Sequence, residues 1–421
     1  GLDAVVTVSH LTIRNGLAER WCGGICGGGI ACFAASITIE DCRFEDNVSG
    51  DPNGPHGDGY GGGLEIRGGI LLESETVTAR IEDCWFEGNQ AAHEGAGIAL
   101  AGDRDATLSI NGSTFVGNSA GTEGGGALNA AISSSDSYSV EITETTFESN
   151  TTTSNGGALE LGSNWQSITL QDTEFLYNHA DNEGGAVRIG GSAADDPTLT
   201  LTGCLFESNT SYIAAAAGLE GRLNRTTHIC IEDSMFNGNA ADYSSSAIDL
   251  DVDGGEVLAT LTNVDFLENS SLVAAGAFRI TDYGLVSLTM EQGSFVDNST
   301  GGMPAALTVF ETDIDEDVRA DVVLDGVLVS GNVTNATYDW GSALQIGGRT
   351  TLDLVDCTIV DNPNGGAVLY NDLAVLNSVN TDWGTGVTDN SGHDVLIYNG
   401  DSYLSYGAGE TFTCTGASGC L

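Results

Sequence analysis

The residues of this chain with the clearest chemical potential are acids. Glu311-Thr312-Asp313-Ile314-Asp315-Glu316-Asp317 is the densest acidic run. Asp313, Asp315 and Asp317 alternate along it, so an extended backbone would place their carboxylates on one side. Hard oxygen donors in that arrangement suit calcium, the one cofactor the sequence suggests. A second stretch, Asp249-Leu250-Asp251-Val252-Asp253-Gly254, opens like an EF-hand loop, but Thr260 stands where the closing glutamate is needed. Strand alternation explains it more simply, with Ile248, Leu250 and Val252 inward and the aspartates outward. A long corner excursion after Asn47 carries Asp51, His56 and Asp58, and such loops are frequent places for function.

Ten cysteines favour an oxidising compartment. Cys22 with Cys26, and Cys414 with Cys420, are spaced as local disulfides. Cys42 and Cys84 share one position in adjacent repeats and form a third candidate pair, against which stands the poor disulfide geometry of stacked strands. Cys230, between Ile229 and Ile231, alternates outward and is the expected free thiol.

Catalytic patterns are weak. A pectate-type lyase needs a basic residue beside carboxylate-held calcium. Every base in this chain is arginine, and Arg67, Arg188 and Arg279 occupy outward strand positions in separated repeats with no carboxylate cluster converging on them. Polygalacturonase-type hydrolases order Asn-Thr-Asp, Asp-Asp and Gly-His-Gly. In this chain Asn380-Thr381-Asp382 comes late, Asp195-Asp196 early, and Gly-His-Gly is missing. Glu40 with Glu82, or Asp41 with Asp83, could supply the close carboxylate pair of a glycosidase, but both are ordinary outward positions. The sequence therefore favours a non-catalytic protein, with a polysaccharide lyase or glycoside hydrolase as the alternative.

What must position these residues is a repeat. Phe44, Phe86, Phe115, Phe147, Phe175, Phe206, Phe236, Phe266 and Phe295 recur in one phase, continued by Val329 and Ile359. Three residues after each comes Asn47, Asn89, Asn118, Asn150, Asn178, Asn209, Asn239, Asn269, Asn298, Asn332 or Asn362, mostly 28 to 34 residues apart and once 42. Each repeat holds three short segments of period two, which means strands. Three strands cannot bury their apolar faces within one repeat, so the repeats must stack. The predicted fold is all-β: a single right-handed parallel β-helix of about 12–13 coils over residues 1–393, with 394–421 as a C-terminal edge strand and disulfide-stapled tail. Phenylalanine should stack inside. Asparagine should bond to its copy in the next coil and occupy the left-handed backbone of a turn. Paired glycines mark a corner where no Cβ fits.

Gly125-Gly126-Ala127-Leu128, Gly156-Gly157-Ala158-Leu159, Gly184-Gly185-Ala186-Val187 and Gly365-Gly366-Ala367-Val368, alternating with Phe-x-x-Asn, resemble the repeats of polymorphic outer-membrane proteins, the β-helical passengers of autotransporter-type surface proteins. The asparagine half spans residues 44–362. The resemblance implies a bacterial surface or secreted protein, often adhesive, exported after removal of an N-terminal signal. The C-terminal translocator barrel of that pattern is missing from this sequence, either removed or never present.

Sixty acids against 12 bases give a formal charge of −48. Nucleic acid and anionic membranes are thereby poor partners, and no apolar run is long enough to span a bilayer. Such acidity also keeps a repetitive protein soluble in salty water. The expected role is a surface-structural or adhesive β-solenoid with an unidentified surface or glycan ligand. Its first repeat begins near Gly1 without a capping helix and its last carries a strand-like tail, so head-to-tail self-association into filaments is expected.

Overall fold

The computed structural model describes residues 5–18, 27–33, 36–50, 59–68, 76–102, 105–132, 137–192, 194, 196–222, 225–282, 284–311, 319–335, 343–370, 373–385, 387, 389–391, 393–398, 402–407, 410 and 413–416. Two compact units share the chain, Gly1–Ala217 and Gly218–Leu421. Each is a parallel β-solenoid, and no α-helix occurs among the described residues.

One coil of the first unit shows how the repeat folds. Trp165–Gln171 is the long strand of the first face, followed after a two-residue turn by Glu174–Leu176. His179–Glu183 lies on the second face and Val187–Ile189 on the third. Each strand pairs in parallel with its copy in the neighbouring coil, so Ile168 meets Leu199 and Phe175 meets Phe206. The second unit uses the same plan. Its Glu256–Leu267 runs unbroken through the first turn, and Ser270–Ser271 and Phe278–Asp282 follow. Among the described residues the second face has seven strands in the first unit and four in the second, close to the expected coil number. Beyond Asn362 the described residues hold strands of the first and third faces and none of the second. Val395–Ile397 pairs with Ala367–Tyr370 and with Cys414–Gly416, and Tyr403–Tyr406 pairs with Val375–Val379.

The interior follows from the repeat. The phenylalanines are fully buried and stack with their copies, at centroid separations of 4.6 Å for Phe44–Phe86 and 4.8 Å for Phe266–Phe295. Strand spacing and ring stacking demand nearly the same repeat along the axis, so one residue type satisfies both.

The asparagines are also buried. In the first unit Asn118 Nδ2 donates to Asn150 Oδ1 at 2.9 Å and to Phe86 O at 3.0 Å. Its Oδ1 accepts from Asn89 N and Nδ2 at 3.1 and 2.9 Å. The same bonding links Asn47 to Asn89, and Asn150 to Asn178 to Asn209. In the second unit it runs from Asn239 through Asn269, Asn298, Asn332 and Asn362 to Asn390. One expectation needs correcting. The left-handed residue at this turn is the one before the asparagine, such as Asp46, Ser149, Tyr177 or Asp297, with φ between 51° and 55°. The asparagine itself is fixed by its hydrogen bonds.

At the glycine corner both glycines have a steric cause. Gly156 has φ 63°, and a Cβ there would lie 2.2 Å from Leu159 O; a Cβ on Gly157 would lie 1.9 Å from Gly185 O in the next coil. The corner is thereby pulled tight against the third strand.

Candidate functional site

The third strand has an outward-facing position that is nonetheless covered. In the first unit the register aligns Glu65, Ala99, Asn129, Glu160 and Arg188. In the second it aligns Asp249, Arg279, Thr308 and Gln345. Glu65, Asn129, Glu160, Asp249, Thr308 and Gln345 are all buried. The cover comes from the corner before each strand, which folds back over it. Asn129 Nδ2 donates to Glu123 O at 3.3 Å, and Ser244 Oγ in its corner donates to an Asp249 carboxylate oxygen.

This column is polar, and several of its groups are incompletely bonded. Asn129 Oδ1, Asp249 Oδ1 and Thr308 Oγ1 are buried without a hydrogen-bond partner. A buried acceptor without a partner costs about 1–3 kcal/mol, which a scaffold gains nothing by keeping.

In the first unit the column leads to a compact cluster. Arg67 Nε stands 3.4 Å from Glu65 Oε1, and the guanidinium lies 4.9 Å from the centre of the Tyr60 ring. Tyr60 meets the His93 ring at 4.9 Å. His93 faces two carboxylates, Nδ1 towards Glu94 Oε2 at 3.8 Å and Nε2 towards Glu123 Oε1 at 3.3 Å. Backbone bridges from Tyr60 to Glu94 to Gly124 fix these residues in successive coils. Burial pushes the Glu94 carboxyl up to about 7; the Glu123 and Glu65 charges add to the rise and Arg67 opposes it. Two coils further, Arg188 Nη1 bonds Glu160 Oε1 at 3.1 Å and Nε approaches Glu183 Oε2 at 3.7 Å. His93, Glu94 and Glu123 are the one group among the described residues whose donor atoms stand close enough for a shared metal ion.

In the second unit Arg279 occupies the matching place. Its Nη1 lies 3.5 Å from Asp249 Oδ2 and donates to Ser244 Oγ, and its Nε donates to Thr281 Oγ1 at 2.8 Å. Burial raises the Asp249 carboxyl despite Arg279 and Ser244. It also raises Asp251, helped by the Asp249 charge. A cavity beside Arg279 is walled by Tyr243, Met303 and Phe310.

The arginines are therefore not isolated from acids. Their partners come from one repeat away, Glu160 for Arg188 and Asp249 for Arg279, or from two residues back, Glu65 for Arg67. The signal was present in the sequence. The middle residue of each third strand, flanked by apolar neighbours, carries charge or amide in Glu65, Asn129, Glu160, Arg188, Asp249 and Arg279. Opposite charges there fall one repeat apart. The aspartate at 249 does turn outward, but its corner covers it.

The cysteine pair also needs correcting. Cys42 and Cys84 are free thiols. Each Sγ donates to the carbonyl two residues back, Glu40 O at 3.2 Å and Glu82 O at 3.1 Å. Ser113, Thr145, Thr173 and Ser234 do the same with their hydroxyls. Cysteine thus replaces serine or threonine as a small buried donor closing the turn. Burial pushes the Cys84 thiol up to about 12, which leaves it unreactive. Cys230 is a free, partly exposed thiol. Cys414 is disulfide-bonded. Cys22, Cys26 and Cys420 lie outside the described residues, as do Asp313, Asp315, Asp317, Asp51, His56 and Asp58. Glu40 and Glu82 pair across the first face, and Arg80 holds Glu82.

A family model described as a right-handed β-helix region matches residues 3–147. Comparison with curated proteins gave no match, and neither did comparison with solved structures. The match covers about a third of the chain; together with the parallel register of both units it supports an all-β, parallel β-solenoid fold.

Proposed function

We propose that the chain is a non-catalytic, extracellular β-solenoid of a bacterial surface, and that each unit binds saccharide along its own third face. The observation that carries this reading is the covered polar column, whose acceptors are left without partners at Asn129, Asp249 and Thr308. Binding requires the covering corner to move aside; sugar hydroxyls then supply the donors that these acceptors lack, and the neighbouring Tyr60, Tyr243 and Phe310 offer rings for sugar faces. A formal charge of −48 favours neutral or amino-bearing saccharides over polyanions. The surface assignment rests on the likeness to polymorphic outer-membrane repeats, and calcium at Asp313, Asp315 and Asp317 belongs to the same proposal.

Electrophoresis through gels containing neutral or aminated polysaccharides tests it. Retardation is expected in at least one gel, and weaker in Asn129→Ala and Tyr243→Ala. Unretarded migration throughout, or retardation that both variants keep, would refute saccharide binding at this face.

A second reading has one observation in its favour. Burial pushes the Glu94 carboxyl up to about 7, and it stands with Glu65 and Glu123; a raised carboxyl close to other carboxyl groups is what glycosidic cleavage requires. Release of reducing ends from a retained polysaccharide, abolished in Glu94→Gln, would replace the binding role with hydrolysis.

A further inference from the structure

We propose that His93, Glu94 and Glu123 bind one divalent transition-metal ion of the zinc class. Taking one donor atom from each residue, the three lie within 4.8 Å of one another. An ion about 2.1 Å from each ligand sets tetrahedral donors about 3.4 Å apart. His93 gives the ion one ring nitrogen: its Nδ1 stands 3.8 Å from Glu94 and its Nε2 3.3 Å from Glu123, so the carboxylate on the other side must swing towards the nitrogen that binds, within the 4.8 Å that already separates the donors.

Two further features point to a ligand. His93 Nδ1 is buried without a hydrogen-bond partner. It faces the carboxyl of Glu94, whose side chain is only 4% exposed, across a gap too long for a hydrogen bond. An ion there would also offset the mutual repulsion of Glu65, Glu94 and Glu123. The donor set chooses the ion: calcium takes oxygen ligands, whereas an imidazole nitrogen with two carboxylates suits zinc. The place is held by backbone, since Glu94 is bridged to Tyr60 and to Gly124. Three protein donors leave a position for water or a ligand oxygen. This site is separate from the calcium suggested at Asp313, and it does not depend on saccharide binding.

The test is calorimetric titration of tag-free, chelator-treated protein with Zn2+. One equivalent should bind, with affinity falling at least about tenfold in both Glu123→Gln and His93→Gln. The Glu123 side chain is 60% exposed, so Glu123→Gln should melt like the parent when metal-free, which separates ligand loss from misfolding. His179→Gln, altering a histidine elsewhere, should bind as the parent does. Absence of Zn2+ binding, unchanged affinity in Glu123→Gln and His93→Gln, or loss in His179→Gln would overturn the site. Displacement of Zn2+ by equimolar Ca2+ would overturn the choice of ion.

Discussion

Two columns of polar residues run through each unit, and they are built in opposite ways. The asparagine column faces inward. Nearly one residue type fills it, and each amide there spends its donors and acceptors on the coils either side, as Asn118 does with four side-chain bonds. The third-strand column faces outward beneath the corners. It varies through Glu65, Ala99, Asn129, Glu160 and Arg188, and some of its buried acceptors have no partner. Apart from Arg188 and Arg279 the charged and amide members of the third-strand column are buried as the asparagines are, so burial alone does not distinguish the two. What distinguishes them is satisfaction. A uniform, saturated column is explained by folding alone, whereas the spare acceptors of the varied column are what the proposed saccharide binding accounts for.

The comparison can be sharpened by substitution. The largest effect is expected in the interior. Phe175→Ala empties a stacked, fully buried site and should cost about 3–5 kcal/mol in denaturant unfolding. Tyr177→Ser, two residues away at 55% exposure, should change stability by no more than about 0.5 kcal/mol. Similar losses from both would mean that the repeat does not divide inside from outside as described.

A smaller, pH-dependent effect is expected on the third strand. Burial raises the Asp249 carboxyl above its ordinary value of 3.8, so the folded state binds its proton more tightly than the unfolded state does. The stability this contributes is complete below the unfolded value and is lost as pH rises through the folded one. Asp249→Asn should therefore gain on the parent as pH rises, when urea midpoints are compared at several pH values. A gain that shrinks with rising pH would show that Arg279 outweighs burial.

The smallest effect alters mass and not stability. Nine Asn-x-Ser/Thr sequons occur. Those at Asn150 and Asn209 are buried, whereas Asn111 and Asn335 are exposed. Secretion through a glycosylating host should add glycans at Asn111 and Asn335, and at Asn224, which lies outside the described residues, but not at Asn150 or Asn209. Peptide mapping that finds sugar on Asn150 would contradict the inward column.

The fold was legible because its causes are periodic. Phe44 to Phe295 and Asn47 to Asn362 each repeat one demand at one spacing, and a single sequence displays that directly. The turn thiols were less legible. Cys42 and Cys84 suggest a bridge when compared with each other, but a turn donor when compared with Ser113 and Thr145 in the same column. The third-strand cluster was least legible. Alternation predicts which side Glu65 and Asp249 take, but not that a tight glycine or serine corner will cover that side. Nor does it bring His93, Glu94 and Glu123 together, since their meeting depends on the axial offset between two corners.

The most direct measurement compares two asparagines eleven positions apart, Asn118 in the saturated column and Asn129 in the unsaturated one, by the unfolding free energies of their alanine variants. Asn118→Ala breaks two donated and two accepted bonds and strands buried partners, so a loss of about 3–5 kcal/mol is predicted. Asn129→Ala gives up one donated bond, to Glu123 O, and removes an acceptor already lacking a partner, so a loss below about 1.5 kcal/mol is predicted. Equal losses at the two positions would contradict the division between a saturated column and an unsaturated one, and with it the proposed ligand role of the second.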